Sequence, residues 1–270
     1  MNPVIRFFIL SNIYVSFCVV ALALSTQFIF SSYNIDVVVF LFFATLISYN
    51  FQRIISIYNI PEHSRRKWFD NHSNLIYFII TISLIIFINL FLGFNKKSQL
   101  LIVVISFFSF MYPFVLRTIP YIKIYLIALV WCLSTVLLTV IENNLVISID
   151  VILSLISRFF FIVAITIPFD IRDIKFDVLK LKTIPILFGI EMSKKVALIM
   201  LYVYASLELI QHLLITPNKQ IIFSAFLSCI YTQYLIKGSH EKQSGFYYSF
   251  WVESCSLALL FFLIITSIFL

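Results

Sequence analysis

The sequence contains little glycine, little charge and no paired cysteines. It has 4 glycines in 270 residues, and charged residues make up 11% of the chain. A soluble domain carries roughly 25%. The 4 cysteines all fall inside apolar segments, and none forms a C-x-x-C pair, which predicts small buried side chains and not a disulfide or metal centre. No low-complexity tract or glycine–serine linker is present. These absences exclude an ordinary soluble protein.

Long apolar runs dominate the sequence. Hydrophobic residues make up 62% of the chain, and the mean hydropathy is +1.06. The runs are continuous, which excludes the alternating pattern of a lipid-facing barrel. A membrane-spanning helix needs about 20 mostly apolar residues. The sequence therefore predicts an all-α polytopic membrane protein, with one transmembrane domain over residues 1–270. Its nine predicted spans lie near residues 6–31, 36–57, 73–93, 99–115, 121–141, 146–168, 194–215, 219–236 and 246–270.

The distribution of basic residues predicts the orientation of these spans in the membrane. With nine spans and a cytoplasmic N-terminus, most of the 19 lysines and arginines fall on the cytoplasmic side. This is the bias that cytoplasmic loops show. The net charge of +7 then reflects topology, and we expect no nucleic-acid partner. The chain is expected in a bacterial inner membrane, with its N-terminus inside and its C-terminus outside.

Two of the cytoplasmic loops are long and rich in charge. They lie near residues 52–74 and 170–195. Function in a membrane protein tends to lie where polar residues are kept at a cost in free energy. These two loops are therefore the candidate site.

The second loop begins with a run of spaced carboxylates. In the stretch FDIRDIKFDVLKLKTIPILFG, residues 169–189, Asp170, Asp173 and Asp177 follow an i, i+3, i+7 spacing. On a helix these positions share one face, where like charges repel unless a cation lies among them. Oxygen ligands of this kind suit Mg²⁺ bound to substrate phosphates, and nearby bases such as Lys182 can add direct phosphate contacts. A solvated helix face paired with these bases is the alternative, and spacing alone leaves both open.

This stretch resembles the second aspartate-rich motif of the UbiA-type intramembrane prenyltransferases. The similarity continues through Lys182-Thr183-Ile184-Pro185 to Leu187-Phe188-Gly189. A second stretch, residues 110–131, resembles the loop between the fourth and fifth helices of that family, with Lys123 in register. The nine-helix count and the orientation agree with this resemblance.

The resemblance implies a fold, a reaction and a set of site residues. An isoprenoid diphosphate would lie in a central cavity that opens to lipid, with Mg²⁺ on its phosphates. Ionisation would leave an allylic cation, which a lipid-soluble aromatic or quinone-precursor acceptor attacks. Asp170, Asp173 and Asp177 would hold Mg²⁺. The diphosphate would contact Lys123 and Lys182, and Asn50 would position a metal-bound water or a phosphate oxygen. Arg53 joins these predicted diphosphate contacts through the chemistry of its own guanidinium, and not through the resemblance.

The first aspartate-rich motif of the family is not preserved. The matching region is residues 47–68, in which Asn50 aligns with the asparagine of the motif. In this register Phe51, Ile54 and Tyr58 occupy the three aspartate positions. Every metal-binding carboxylate of that half is missing, so a clamp built from both motifs cannot form.

Two explanations of this loss remain open. In the first, arginine replaces metal, because a guanidinium binds phosphate bidentately and Arg53 lies three residues after Asn50. In the second, Arg53 pairs with Asp170 or Asp173, and the protein binds a lipid or a partner without chemistry.

Four further polar residues fall inside predicted spans: Arg158, Glu208, His212 and Glu253. Arg158 is expected to bond a polar group of another helix. Intramembrane carboxylates often mark a proton or substrate path. A transporter that uses Glu208 and Glu253 is therefore a third hypothesis. It ranks last, because no internal repeat of the kind found in many transporters is visible.

Overall fold

The computed structural model describes residues 2–59, 65–116, 119, 122–177 and 183–270, and most of these residues are helical; side chains are not described at 59 and 175–177. No strand occurs in these ranges. The helices are α1 Pro3–Leu10, α2 Ile13–Ile29, α3 Ile35–Asn59, α4 Arg66–Gly93, α5 Lys96–Met111, α6 Ile122–Glu142, α7 Ile149–Asp177, α8 Ile184–Ile215, α9 Lys219–Lys237 and α10 Tyr247–Phe269.

Each predicted span coincides with one helix, apart from the first, which is the bent pair α1 and α2. By length and composition, 6 helices within the described ranges can cross a membrane, or 7 if the pair bent by 67° forms one span. The others are α5, with 16 residues, and α9, which has a lysine at each end. The chain is thus an integral membrane protein of helices, while nine crossings stay a prediction.

The break between α1 and α2 is held by two asparagines. Asn12 adopts a left-handed backbone with φ of 65°, a conformation that asparagine tolerates better than most residues. Its side-chain amide donates to Oδ1 of Asn50 on α3 over 2.9 Å. Asn50 in turn donates to the carbonyl oxygens of Ser11 and Leu46, over 3.1 and 2.9 Å. The bend therefore satisfies its buried polar groups by bonding to α3.

Helix α7 lies at the centre of the apolar core. Phe161, Ala164 and Ile167 on this helix are fully buried, and α7 packs against α6 and α8. The outer helices present apolar side chains at the surface, such as Ile85 and Leu92 on α4. A large exposed apolar surface is what a helix in contact with lipid presents. The fold thus places α7 where its C-terminal half can form one wall of an interior cavity.

Two polar clusters inside the bundle bind helices to one another. Arg158 on α7 donates to the carbonyl oxygen of Leu22 over 3.2 Å and to Ser25 Oγ over 2.9 Å, both on α2. This confirms the expected bond to another helix. Between α7 and α8, Glu208 accepts a hydrogen bond from Ser157, and its Oε2 lies 3.6 Å from Nε2 of His212. Glu208 is therefore part of a helix–helix contact.

We expect Asn50→Leu to lower the free energy of unfolding by about 2 kcal/mol, since it leaves buried amide and carbonyl groups without hydrogen bonds. Thr45→Val on the same helix is the control, because the Thr45 hydroxyl bonds only to the Leu41 carbonyl of its own helix. Denaturation of both variants in detergent measures the difference. Equal stability of the two would show that the asparagine pair does not hold the bend.

Candidate functional site

A cavity of about 280 Å³ lies inside the bundle, lined by residues of α2, α3, α5, α6, α7 and α10. One face of α3 supplies Ser48, Gln52 and Ser56, spaced by four residues, with Tyr49 and Arg53 beside them. This spacing keeps side chains on one face of a helix. The wall that α3 presents to the cavity is therefore polar and carries one guanidinium group.

The opposite wall is the C-terminal half of α7, where Asp170 is fully buried. Its Oδ1 lies 2.7 Å from Nζ of Lys123 on α6. Lys123 is itself only 9% exposed, so both charges are removed from solvent and each offsets the desolvation of the other. The two residues, predicted from separate motifs, thus meet in one buried ion pair.

Asp173 lies one turn after Asp170 and makes a second ion pair. Nε and Nη2 of Arg172 donate to its two carboxylate oxygens, over 2.7 and 2.9 Å. The guanidinium of Arg172 also lies over the rings of Phe169 and Tyr248, at 5.1 and 5.9 Å from their centroids. A guanidinium held by a carboxylate and two aromatic faces has a defined direction.

A further guanidinium comes from Arg65, which stands immediately before α4. Its Nη2 donates to Ser249 Oγ on α10 over 3.3 Å. Burial, and then the charges of Arg53 and Arg172, lower the pKa of Arg65 well below the ordinary arginine value, while Asp173 and Glu253 act in the opposite sense. Three guanidinium groups near one another favour an anion between them.

The charges on the described lining show what this cavity can hold. The charged side chains are four basic ones, Arg53, Arg65, Lys123 and Arg172, and three carboxylates, Asp170, Asp173 and Glu253. Tyr14, Tyr49 and Trp131 belong to the same lining. The cavity therefore combines an excess of one basic side chain over the acidic ones with aromatic surface, which suits an anionic head attached to an apolar chain.

The carboxylates on α7 bear directly on the predicted magnesium site. Asp170 and Asp173 are one turn apart, and Mg²⁺ is commonly bound by one or two carboxylates together with substrate phosphates. The described residues contain no group of three or more His, Cys, Asp or Glu side chains able to hold a metal. The third predicted ligand, Asp177, has a side chain outside the described ones, and Lys182 lies outside the described residues altogether. Asp170 and Asp173 thus fit one Mg²⁺, which would share its coordination with phosphate.

The α3 wall differs from the register that the first motif predicts. Asn50, the residue taken to align with that motif, is 2% exposed and does not line the cavity. Phe51 stacks on Phe110 with ring centroids 5.1 Å apart, Ile54 packs with an apolar cluster, and Tyr58 is 63% exposed. None of these three residues lines the cavity, and its α3 wall is formed by side chains at adjacent positions of the helix. Those positions also lack a carboxylate, since residues 48–58 contain no acid.

Sequence reasoning missed two site residues. Arg65 belongs to a basic cluster of the kind that cytoplasmic loops carry, which does not distinguish it, yet its guanidinium reaches the cavity. Ser249 lines the cavity and accepts a hydrogen bond from Arg65, but nothing in its sequence context distinguishes it.

Asn50 lies behind the cavity wall and, among the described residues, donates to no group of the cavity lining. It is bonded to Asn12, which does line the cavity. A direct substrate contact by Asn50 stays a prediction.

Solved structures of UbiA homologues are similar to this chain. A UbiA homolog from Archaeoglobus fulgidus has a TM-score of 0.69 at 14% identity, covering 97% of this chain and 98% of the other. One from the same organism bound to GPP and Mg²⁺ has a TM-score of 0.66 at 14% identity, covering 97% and 99%. A digeranylgeranylglyceryl phosphate synthase structure has a TM-score of 0.63 at 17% identity, covering 100% of both chains. No family model and no curated protein matches the sequence.

At these identities the similarity concerns the fold. The chain has the all-helical UbiA fold over almost its whole length, and this confirms the fold that the aspartate-rich motif predicts.

Proposed function

We propose that this chain is a UbiA-type intramembrane prenyltransferase that transfers a polyprenyl group from a diphosphate donor to a lipid-soluble acceptor, aromatic or quinone-precursor in kind. One observation carries the proposal. Basic side chains from α3, α6, α7 and the segment before α4 line one cavity with Asp170 and Asp173. The UbiA homologue bound to GPP and Mg²⁺ supports a prenyl diphosphate as the donor.

Asp170 and Asp173, with Asp177 in the following turns, would hold Mg²⁺ on the diphosphate. The ion would neutralise negative charge that builds on the leaving group. Lys123 would hold Asp170 ionised, and Lys182 would add a phosphate contact. Asn50 would act from behind the cavity wall, by fixing the bend that carries Asn12.

On the α3 side, guanidinium groups take the place of the family's carboxylates. Arg53 lines the cavity and Arg65 reaches it, and either can bind phosphate oxygens bidentately. Arg172, which bonds Asp173 in this structure, is a further guanidinium that could bind phosphate. The diphosphate would then lie between metal on α7 and arginines on the other wall.

The proposed topology is one membrane domain over residues 1–270. It has nine crossings, a cytoplasmic N-terminus and an external C-terminus, and it lies in a bacterial inner membrane. The match of each predicted span to a helix or to the α1–α2 pair supports it. The cavity would open to lipid, so that a long prenyl chain and an apolar acceptor can enter from the membrane.

A second candidate function is binding without chemistry. It is favoured by the lack of acids on the cavity face of α3 and by the contact of both Asp173 oxygens with Arg172. Such a protein would hold a lipid or a partner in the same cavity.

Release of diphosphate separates the two functions. Purified protein is incubated with prenyl diphosphates of several lengths and a panel of apolar acceptors, with and without Mg²⁺. We expect protein- and Mg²⁺-dependent release of diphosphate, reduced at least 100-fold in Asp173→Asn, on the scale of losing a group that stabilises transition-state charge. Asp70→Asn, an exposed aspartate outside the cavity lining, is the matched control. No release with any donor and acceptor would favour the binding function.

A further inference from the structure

Glu253 is a carboxylate of the cavity that the motifs do not explain. It lies on α10 and lines the same cavity as Asp170 and Asp173. Within the part of the chain that the structure describes, its carboxylate makes no hydrogen bond and no ion pair. A carboxylate placed inside a membrane protein is costly, so one without such a partner indicates a use.

The backbone of α10 holds Glu253 in place. Residues Tyr247–Val252 form a π-helical turn, and the amide of Glu253 closes it by donating to the carbonyl oxygen of Tyr248 over 3.2 Å. Such turns occur frequently at functional sites. This turn brings Ser249 and Glu253 to the cavity together. The geometry is thus set by the helix itself, before any ligand binds.

The groups around Glu253 define the kind of molecule it faces. The charged and titratable groups that interact electrostatically with Glu253 are Arg65, Arg172, Tyr14, Cys18, Tyr49 and Cys255. From α9, which also packs against α10, comes Tyr231, whose hydroxyl shares a hydrogen bond with that of Ser254, the residue after Glu253. Two of these groups are the guanidinium groups of Arg65 and Arg172, which lie where the diphosphate is proposed to bind. The others are aromatic or apolar. Glu253 therefore lies between the proposed leaving group and an aromatic part of the wall.

We propose that Glu253 is the general base that takes the acceptor's proton, and that the acceptor is a neutral phenol or hydroxylated aromatic. This rests on the proposed prenyl transfer. The bond between the allylic carbon and diphosphate oxygen breaks, and diphosphate takes its electrons. The acceptor's phenolic oxygen, or a ring carbon activated by it, bonds to the allylic carbon. The acceptor's proton passes to Glu253 and then to water, so charge and atoms balance.

The same carboxylate sets a preference among acceptors. An acceptor with its own carboxylate or phosphate would bring a second negative charge beside Glu253, which disfavours binding. A naphthol and the matching hydroxynaphthoate test this preference. The wild type is expected to prenylate the neutral phenol faster than the carboxylated one. Removal of the Glu253 charge is expected to reduce this difference between the two rates.

The test compares Glu253→Gln with Glu208→Gln, which changes a buried carboxylate of α8 that lies outside the cavity lining. For Glu253→Gln we expect donor-analogue binding within about twofold of wild type and product formation reduced about 100-fold, the usual contribution of a general base. The acidic limb of the pH–rate profile should disappear, and Glu253→Asp should regain part of the rate. Glu208→Gln should keep rate and profile.

Two results would overturn the inference, and they distinguish failure of the Glu253 role from failure of the proposed prenyl transfer. Wild-type rate and pH profile in Glu253→Gln would show that Glu253 takes no proton while prenyl transfer stands. Absence of donor binding and of diphosphate release in the wild type would remove the proposed function, and the role of Glu253 with it.

Discussion

Asp170→Asn is expected to destabilise the protein by about 3 kcal/mol and to abolish the proposed prenyl transfer. The reason for the first effect is that Lys123 would keep its charge in a buried site without the carboxylate 2.7 Å away, and breaking a buried ion pair by removing one partner is strongly destabilising. Loss of a proposed Mg²⁺ ligand accounts for the second effect. Denaturation in detergent and product formation are measured on the same preparation.

Asp173→Asn is the internal control, because it makes the same chemical change one turn further along α7. Asp173 pairs with Arg172 where both side chains are partly exposed, at 21% and 28%, so its stability cost should be well under that of Asp170→Asn. Transfer should fall in both variants. Equal stability losses would contradict the distinction between a buried and a partly exposed pair.

The double variant Lys123→Met with Asp170→Asn separates folding from catalysis. Removing both charges leaves no uncompensated charge in the buried site, and such a charge causes the large cost of removing one partner alone. Stability should therefore return to near that of the wild type, while transfer stays absent. A double variant as unstable as Asp170→Asn would show that the Lys123–Asp170 contact is not the origin of the loss.

The second large effect concerns the arginines that face α7. Arg53→Gln is expected to weaken donor binding by about 30-fold, from the loss of roughly 2 kcal/mol of charged hydrogen bonding to phosphate. In the variant that also carries Arg65→Gln the loss should reach roughly 1,000-fold, if the two contributions add. Equilibrium binding of a non-hydrolysable prenyl diphosphate analogue in the presence of Mg²⁺ measures this.

Two controls distinguish a phosphate contact from general charge. Arg66→Gln removes the neighbouring arginine, which is exposed and does not line the cavity, and it should leave affinity within about twofold. Arg53→Lys keeps the charge but loses the bidentate fork, so an intermediate affinity is expected. If Arg66→Gln weakened binding as much as Arg53→Gln, the effect would be one of net charge.

Much of the fold can be predicted from the sequence, because the apolar runs are long and recur along the chain. Continuous apolar runs locate the helices α2 to α10. The largest differences in their bounds are that α4 and α8 begin 7 and 10 residues before the predicted spans, while α7 ends 9 residues after its span. The aspartate motif also predicts that its side chains lie on one wall of the cavity, because the spacing along α7 determines which side chains share a face. Lys123, taken from a different motif, is found beside Asp170.

The α3 wall could not be predicted in the same way. Successive residues of an α-helix turn by about 100°, because 3.6 residues make a turn, so an alignment shifted by one position selects another face. Alignment on Asn50 selected the face that bonds Asn12, while Arg53, Gln52 and Ser56 form the wall. Asparagine suits both a metal site and a buried helix contact, and sequence alone does not separate them.

The positions of Arg65 and Glu253 in one cavity could not be predicted, for different reasons, although the sequence marks Glu253 as an intramembrane carboxylate. A cluster of bases after a membrane helix is the ordinary sign of a cytoplasmic loop, so the position of Arg65 depends on how the chain returns to the bundle. The direction of Glu253 depends on a π-helical turn, which hydrophobic periodicity does not reveal.

A structure of the protein with a non-hydrolysable prenyl diphosphate analogue and Mg²⁺ tests the central claim most directly. The account predicts diphosphate in the cavity, with Mg²⁺ bridging Asp170 and Asp173 to its oxygens and Arg53 and Arg65 on its opposite side. The aromatic lining beside Glu253 should remain open to an acceptor. A structure in which Arg53 bonds directly to Asp173, with the analogue absent from the cavity at saturating concentration, would contradict it.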